Sequence, residues 1–460
     1  MTSGDESRAP TGGSLLARLL RALTVVERHE ATAVLVSAAS FFLLFGSYSV
    51  IKPVRDAMGT VYGMDHIQEL FTGTFLASIV IAPIYSWLAS RIRLTRFLPG
   101  VYGVVAVSLL VFHALFERTA AGQDRSVAAV FYVWISTFNI LIISVFWSFM
   151  ADLYSRTQAK RLFGLIAAGA TLGGIAGPAL ATTLAQAIGN DGLILVAAGG
   201  FFLAAALVGL LATLPKPLPP GEAHGAAAGQ DPSPNSGQGA GTLRRALPGG
   251  PLDGFRLLLR SPYLLLLSLF LLLMTWVSTI VYIQLGDLIS HAFRDREART
   301  QAYASIDLIV NSLALAMQLF GTGRFIQRFG AKAGLLLNPI VMVVAFLAIM
   351  FSPVLLVLGG VQVLRRVAEY AVAKPTREML FTVVDQESKY KAKNVIDTVV
   401  YRFGDLSSAW VGSWIHPYGV VGLAIFGGLV TAVWIPVAYR LGGRYESERG
   451  HLDATPMHRP

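Results

Sequence analysis

Runs of about 20 apolar residues recur along the whole chain, and they limit what it can become. A helix needs about 20 such residues to cross the roughly 30 Å hydrocarbon core, at about 1.5 Å of rise per residue. Such runs fall at 31–51, 66–89, 98–116, 127–150, 162–188 and 192–214, then at 262–286, 300–322, 333–352, 354–373, 395–416 and 418–440. The pattern predicts an all-α membrane protein with twelve transmembrane helices in two groups of six. Composition agrees: of 460 residues, 54% are hydrophobic and 14% charged, against roughly 25% charged in a soluble globular chain. So few charges cannot cover a soluble surface, which argues against a cytosolic enzyme, a nucleic-acid binder or a secreted disulfide protein. The chain has no cysteine, which excludes disulfides, thiolate metal sites and thiol catalysis.

Between the two groups lies a segment rich in Gly, Ala, Pro and Ser ("PKPLPPGEAHGAAAGQDPSPNSGQGAGT") with almost nothing to bury, as in a flexible linker. The chain therefore divides into an N-terminal tail (1–30), a six-helix bundle (31–214), a cytoplasmic linker (215–261), a second six-helix bundle (262–440) and a C-terminal tail (441–460). No small-residue cleavage site follows a short apolar run near the start, so no signal peptide is expected. Residues 15–26 put Arg18 and Arg21 on one face and leucines on the other. That pattern fits a helix lying in the membrane surface or a solvated helix docked on the protein.

The net charge of +10 sorts by topology. With the N-terminus inside, most of the 37 Lys and Arg residues fall in cytoplasmic tails and loops. The outer loops hold Lys52, Arg55, Arg118, Arg125, Arg294, Arg296 and Arg299, and the spans hold Arg365, Arg366 and Arg402. This asymmetry predicts both termini on the cytoplasmic side of a bacterial inner membrane. The basic residues then mark orientation in a lipid bilayer and imply no nucleic-acid partner.

The two halves share a motif. Asp152, Ser155, Arg156, Ala159 and Lys160 after the fourth span match Asp385, Ser388, Lys389, Ala392 and Lys393 before the eleventh, at one constant offset. The basic loops "SRIRLTR" and "RFIQRFGAK" after the second and eighth spans also correspond loosely. Two parallel six-helix pseudo-repeats joined by a long loop make a major facilitator-like layout. In the fifth span Gly169, Gly173 and Gly177 recur every fourth residue, a spacing that lets helix backbones approach closely.

Charges inside the spans are the candidate functional groups, because a charge at mid-membrane costs about 2.5–3.5 kcal/mol on insertion scales. Arg365 and Arg366 both lie within reach of Glu369 on one helical turn, leaving one positive charge over for an anionic solute. Asp397, Arg402 and Asp405 sit in the eleventh span, and Asp397 and Arg402 are too poorly spaced to stack. Asp307 in the eighth span is a candidate for proton coupling or a helix-packing acceptor, since burial raises the pKa of a carboxylate. Lys52, Arg55 and Asp56 fall at the outer end of the first span, where Pro53 is expected to break the helix. Their bland reading is an interfacial snorkelling cluster. His113 and His416 are read as isolated, and no metal site or cofactor is expected.

Several blocks resemble the ATP/ADP translocase-type nucleotide transporters of plastids and obligate intracellular bacteria, and related bacterial carriers. "SYSVIKPVRD" is similar to that family's Y-T-I-L-R-D-T-K-D. "VFWSFMADLYSRTQAKRLFGLIAAGATLGG" resembles its F-W-x-F-A-N-D block. "QVLRRVAEYAVAKPTREMLFTVV" and "KYKAKNVIDTVVYRFGD" resemble its tenth- and eleventh-span blocks. The resemblance implies a twelve-span carrier in which charges of the first, fourth, tenth and eleventh spans handle a phosphate-bearing substrate. Lys52, Arg55, Asp56, Asp152, Lys160, Arg161, Arg366, Arg377, Glu378, Lys393 and Asp397 keep the family's charges. Pro53 replaces an acid, Lys374 stands at another acid, and Glu369 and Asp405 stand where the family has lysines. A unit pair at about 4 Å is worth roughly 4 kcal/mol at an effective dielectric of 20, so two inverted charges should shift selectivity away from ATP and ADP.

The expectation is a monomeric secondary transporter, not an enzyme, that moves a small charged, anionic metabolite by alternating access. Lys52, Arg55, Asp56, Arg365, Arg366, Glu369, Asp397, Arg402 and Asp405 would bind solute. Asp152, Lys160, Arg161, Asp385 and Lys393 would form the gating loops. Alternatives are an ATP/ADP-type antiporter, or a membrane assembly or signalling protein on a transporter fold. No P-loop, H-E-x-x-H or G-x-S-x-G motif is present, and no soluble module could hydrolyse ATP.

Overall fold

The computed structural model describes residues 26, 27, 29–92, 94–118, 124–214, 253–384, 392, 393 and 395–454. The tail segment 15–25, most of the linker (215–252) and Asp385 lie outside the described residues. Among those described, every regular element is helical. The first half comprises α1 (Ala31–Tyr62), α2 (Ile67–Arg91), α3 (Leu94–Arg118), α4 (Arg125–Leu153) and α5 (Arg156–Thr213). A short α6 (Asp253–Arg260) leads into α7 (Pro262–Ala292), α8 (Arg296–Phe320), α9 (Thr322–Phe351) and α10 (Leu355–Ala368). A π-helical turn (Glu369–Ala373) joins α10 to α11 (Lys374–Met379), and a second (Ile396–Val400) precedes α12 (Tyr401–Ile415). The long α13 (Gly419–Ala454) closes the chain.

Among the described residues, eight helical stretches are long and apolar enough to cross a membrane. Two of them, Thr157–Thr213 and Ile396–Gly450, are 57 and 55 residues long, and each is interrupted. In α5 the break is Gly189, whose φ of +69° suits glycine. After it the chain doubles back, so that Gly177 and Gly200 both face the Gly46–Ser49 turn of α1. In the second stretch a 3₁₀ turn at His416–Tyr418 leads to Gly419, with φ of +72°. Large apolar side chains such as Leu35, Val107, Leu203, Val344 and Leu429 are exposed on the outside of the bundle, as a lipid-facing surface requires.

Two apolar cores form, one centred in each half, and the second also takes in Met64, Ile67, Leu70 and Tyr132 of the first half. One is built on Leu44, Val54, Phe146 and Phe201, the other on Phe270, Phe346, Phe381 and Trp434. The seam of α1 with α5 is set by the spaced glycines. A Cβ on Gly169 would strike the Ala38 carbonyl, one on Gly173 would lie 2.8 Å from the Gly46 nitrogen, and one on Gly177 2.5 Å from the Gly46 oxygen. These contacts are to backbone, which cannot swing aside.

Three expectations change. Pro53 does not end the first helix: α1 runs on to Tyr62, because a membrane helix tolerates proline where neighbours satisfy the freed backbone groups. Lys52, Arg55 and Asp56 therefore sit within the helix and not at its end. Residues 253–260, expected in the linker, are helical, and α13 continues to Ala454 beyond the expected boundary at 440.

Gly173→Val should force α1 and α5 apart and lower the thermal midpoint of the purified protein, at an overpacking cost of about 1–3 kcal/mol. Gly100→Ala, where a Cβ meets nothing within 4 Å, should leave the midpoint almost unmoved. Equal behaviour of the two variants would discount the seam.

Candidate functional site

A cavity of about 310 Å³ opens between the halves. Helical spacing explains its wall, since residues three and four apart share a face. Tyr48, Lys52, Arg55 and Asp56 come from α1, and Tyr132, Ser136 and Asn139 from α4. The second half supplies Ser278, Thr279 and Tyr282 from α7, Tyr303 and Asp307 from α8, and Gln362, Arg365 and Arg366 from α10. Tyr370 in the first π-turn and Tyr401, Arg402 and Asp405 on α12 complete the polar lining. Phe71 and Phe75 of α2 add an apolar patch.

The charges pair across this space. Lys52 Nζ donates to Asp307 Oδ2 at 2.5 Å and lies 3.5 Å from Asp56. Asp307 also accepts from Arg366 Nη1. Arg55 Nη2 donates to Asp56 Oδ1 at 2.5 Å, and the Tyr282 hydroxyl donates to the same oxygen at 3.1 Å. Arg365 donates to Glu369 at 2.8 Å, to Ser278 Oγ at 2.6 Å and to Gln362 at 3.0 Å. Arg402 lies 3.8 Å from Asp405 and donates to the Ser136 carbonyl at 3.3 Å. Arg55 and Arg366 also lie over the rings of Tyr132 and Tyr370. Five cations thus meet three carboxylates in the wall and a fourth, Glu369, just behind it.

The structure sorts the expected residues. Lys52, Arg55, Asp56, Arg365, Arg366, Arg402 and Asp405 gather in the wall with Asp307. The two arginines of α10 do not share Glu369: Arg365 takes it, and Arg366 turns to Asp307 on α8. Asp307 is therefore the shared counter-ion of two cations on two other helices. Asp397 is elsewhere, 3.6 Å from Arg377 in a cluster with Glu378 and Lys393. Spacing along one helix could not reveal that the π-turn directs it away from the cavity.

Of the loop residues, Asp152 and Lys160 are exposed. Arg161 donates to Glu30 at 2.6 Å and approaches Glu27 at 3.2 Å, tying the start of α1 to α5. Glu27, His29 and Glu30 bring possible metal-ligand atoms within 4.8 Å of one another, but Arg161 already serves both carboxylates. His113 and His416 are not isolated. His113 lies 3.5 Å from Glu117 one turn on, and His416 3.7 Å from Asp287 on α7. The tyrosines, Ser136, Asn139 and Gln362 were not singled out in the sequence, where uncharged polar residues in a span carry little signal.

The far end of the bundle, opposite Ala31 and Ala454, is closed by bonds between the halves. Arg296 donates to Asp191 at 2.9 Å, Arg299 to Thr60 at 3.0 Å, Gln301 to the Thr182 carbonyl at 3.0 Å and Trp410 to Thr72 at 3.0 Å.

The sequence profile described as Major Facilitator Superfamily matches residues 33–364. The chain belongs to that superfamily. Among curated proteins it is 24% identical over 444 residues to ADP,ATP carrier protein 1 of Chlamydia trachomatis serovar D, covering 82% of this chain and 81% of the carrier. Among solved structures, a bacterial homologue of the iron transporter ferroportin in an inward-facing state aligns with a TM-score of 0.62 at 13% identity. That match covers 93% of this chain and all of the other. A bacterial homologue of the lysosomal transporter Spinster, inward-facing and unoccupied, gives 0.57 at 16% identity over 94% of this chain and all of the other. The protein is thus a multi-pass membrane protein of a transporter superfamily, related to nucleotide translocases, with the superfamily's fold.

Asp307→Asn removes the shared partner of Lys52 and Arg366. Breaking a buried pair costs about 3–5 kcal/mol, so the purified variant should melt well below wild type, while Lys160→Ala at an exposed site should not. A wild-type midpoint for Asp307→Asn would deny that this carboxylate ties the site together.

Proposed function

We propose that the chain is a secondary active transporter that carries a small anionic metabolite by alternating access and is not a strict ATP/ADP exchanger. The observation that carries this reading is the charged cavity between the halves, with five cations against four carboxylates. One positive charge in excess suits a solute of low negative charge. A nucleotide with three or four phosphate charges would find most of these cations already paired. The six tyrosines Tyr48, Tyr132, Tyr282, Tyr303, Tyr370 and Tyr401 offer hydroxyls and ring faces for a polar or ring-bearing body.

The topology proposed with it has twelve crossings in two six-helix repeats. The two long interrupted stretches each cross twice, and α2 and the α10–α11 run add the remaining two. Both termini then lie in the cytoplasm of a bacterial cell, the carrier sits in the inner membrane, and it works as a monomer. The loops around Asp152, Lys160, Arg161, Asp385 and Lys393 gate the cytoplasmic mouth. A second reading, exchange of ATP for ADP, is favoured by the similarity to a chlamydial protein named ADP,ATP carrier over most of both chains.

Proteoliposomes separate these readings. Uptake or exchange of phosphate esters and small carboxylates, with little exchange of ATP or ADP, is expected. Arg402→Gln should weaken binding of the transported anion at least about tenfold, since losing a charged partner costs about 2–5 kcal/mol. Robust ATP/ADP exchange would favour the second reading, and no transport of any of these solutes would count against both.

Alternating access makes a further demand. The chain has no cysteine, so Asn139→Cys provides a single reporter in the cavity. Arg296→Gln removes a bond that closes the far end and should raise labelling of that cysteine by an impermeant thiol reagent added from the far side. Identical labelling with and without Arg296→Gln would mean that this closure does not govern access.

A further inference from the structure

The cavity's carboxylates differ in how firmly they are held. Asp307 has Lys52 and Arg366. Asp56 has Arg55 at 2.5 Å, Lys52 at 3.5 Å and the Tyr282 hydroxyl at 3.1 Å. Glu369 has Arg365 at 2.8 Å. Asp405 has, among the described residues, one ion pair, to Arg402 at 3.8 Å on its own helix. That distance is too long for a hydrogen bond. Arg402 is itself only partly committed: one nitrogen donates to the Ser136 carbonyl at 3.3 Å, and its buried Nε has no partner.

The groups around Asp405 add little positive charge. Glu369, the other acid whose charge acts on it, lies in the π-turn after α10 and is bonded to its own cation Arg365 at 2.8 Å. Arg55 acts on it from α1 while bonded to Asp56 at 2.5 Å. Tyr132 of α4 and Tyr401 of α12 are its titratable neutral neighbours. The packed helices α7 and α2 give Ser278, Thr279, Tyr282, Phe71, Thr74 and Phe75 to the wall and no charge. Among the described residues α13 and the turn at 396–400 give none of the wall. A carboxylate held by one cation at 3.8 Å takes up a proton more readily than one, such as Asp307, held by two.

We propose that Asp405 is a proton-binding group whose loading is linked to the anionic solute. In the unloaded site the carboxylate of Asp405 balances Arg402. An anionic oxygen of the solute then takes Asp405's place beside the Arg402 guanidinium. A proton from the aqueous phase adds to an Asp405 oxygen to form the carboxylic acid, and the guanidinium keeps its charge. Release of the solute reverses both steps, the proton returning to water as Asp405 pairs with Arg402 again. One negative charge and one proton enter together, so the charge of the buried site does not change. Asp307, with two counter-ions already, has no such role. The linkage to a solute rests on the transport reading above, whereas the proton site does not.

Infrared difference spectroscopy on the full chain in lipid vesicles without solute, acidified stepwise from neutral, reads the site directly. A carboxylic-acid carbonyl band shielded from solvent is expected in the wild type. It should be lost in Asp405→Asn and retained, shifted, in Asp405→Glu. Glu369→Gln, which removes that acid's negative charge, should move its appearance to more acid conditions even if Asp405→Asn proves unstable. A wild-type band in folded Asp405→Asn, or a band indifferent to Glu369→Gln, overturns the proposal. In proteoliposomes, an inward-acid gradient should drive accumulation of whichever of AMP, glycerol phosphate or inorganic phosphate the wild type takes up. Uptake indifferent to the gradient overturns the linkage. Failure to take up any of the three counts against the transport reading, and the infrared result still decides the proton site.

Discussion

Charges can stand at membrane depth here because each finds an opposite charge, some on the same helix and the central ones across helices. The central case is Asp307 on α8, which accepts from Lys52 of α1 and from Arg366 of α10. Removing an ion from water into a medium of low dielectric costs several kcal/mol even after relaxation. No single helix carrying such a charge would be stable among lipids alone. The pairing makes three helices from two halves mutually dependent. The second link, from Tyr282 on α7 to Asp56 on α1, ties the same two halves at the same depth.

Around this tie the packing is asymmetric. Within the first half α1 and α5 meet backbone to backbone at Gly169, Gly173 and Gly177, beside an apolar core built on Leu44, Val54, Phe146 and Phe201. Between the halves, polar bonds at the centre and at the far end lie beside close packing of α8 against α5 and beside Met64, Ile67 and Leu70, which pack into the second core. Apolar packing is hard to exchange for another arrangement, whereas hydrogen bonds and ion pairs beside water can be remade.

The two acidic residues that set the chain apart from the translocase pattern have visible consequences. Glu369 spends itself on Arg365, an arginine already bonded to Ser278 and Gln362. Asp405 only half-satisfies Arg402. The cavity keeps the family's positive residues at Lys52, Arg55 and Arg366 while losing net positive charge.

The sequence by itself determined the class of protein. Apolar runs of membrane length, the Gly189 and His416–Tyr418 breaks and the small-residue spacing of the fifth span depend only on local hydropathy and backbone freedom. All are visible without tertiary contacts. The charged groups of the site were legible too, because a charge in an apolar run is conspicuous. Their partners were not. Spacing offered Glu369 to both Arg365 and Arg366, and only the approach of α8 gave Arg366 to Asp307. Pro53 read as a helix end because proline interrupts a helix, yet α1 runs through it to Tyr62 where packed neighbours can satisfy the freed backbone groups. Asp397 read as a member of the site until the π-turn before α12 placed it beside Arg377. The tertiary structure decided the pairing because an ion pair depends on distances between helices, and hydropathy along one strand of sequence carries no information about them.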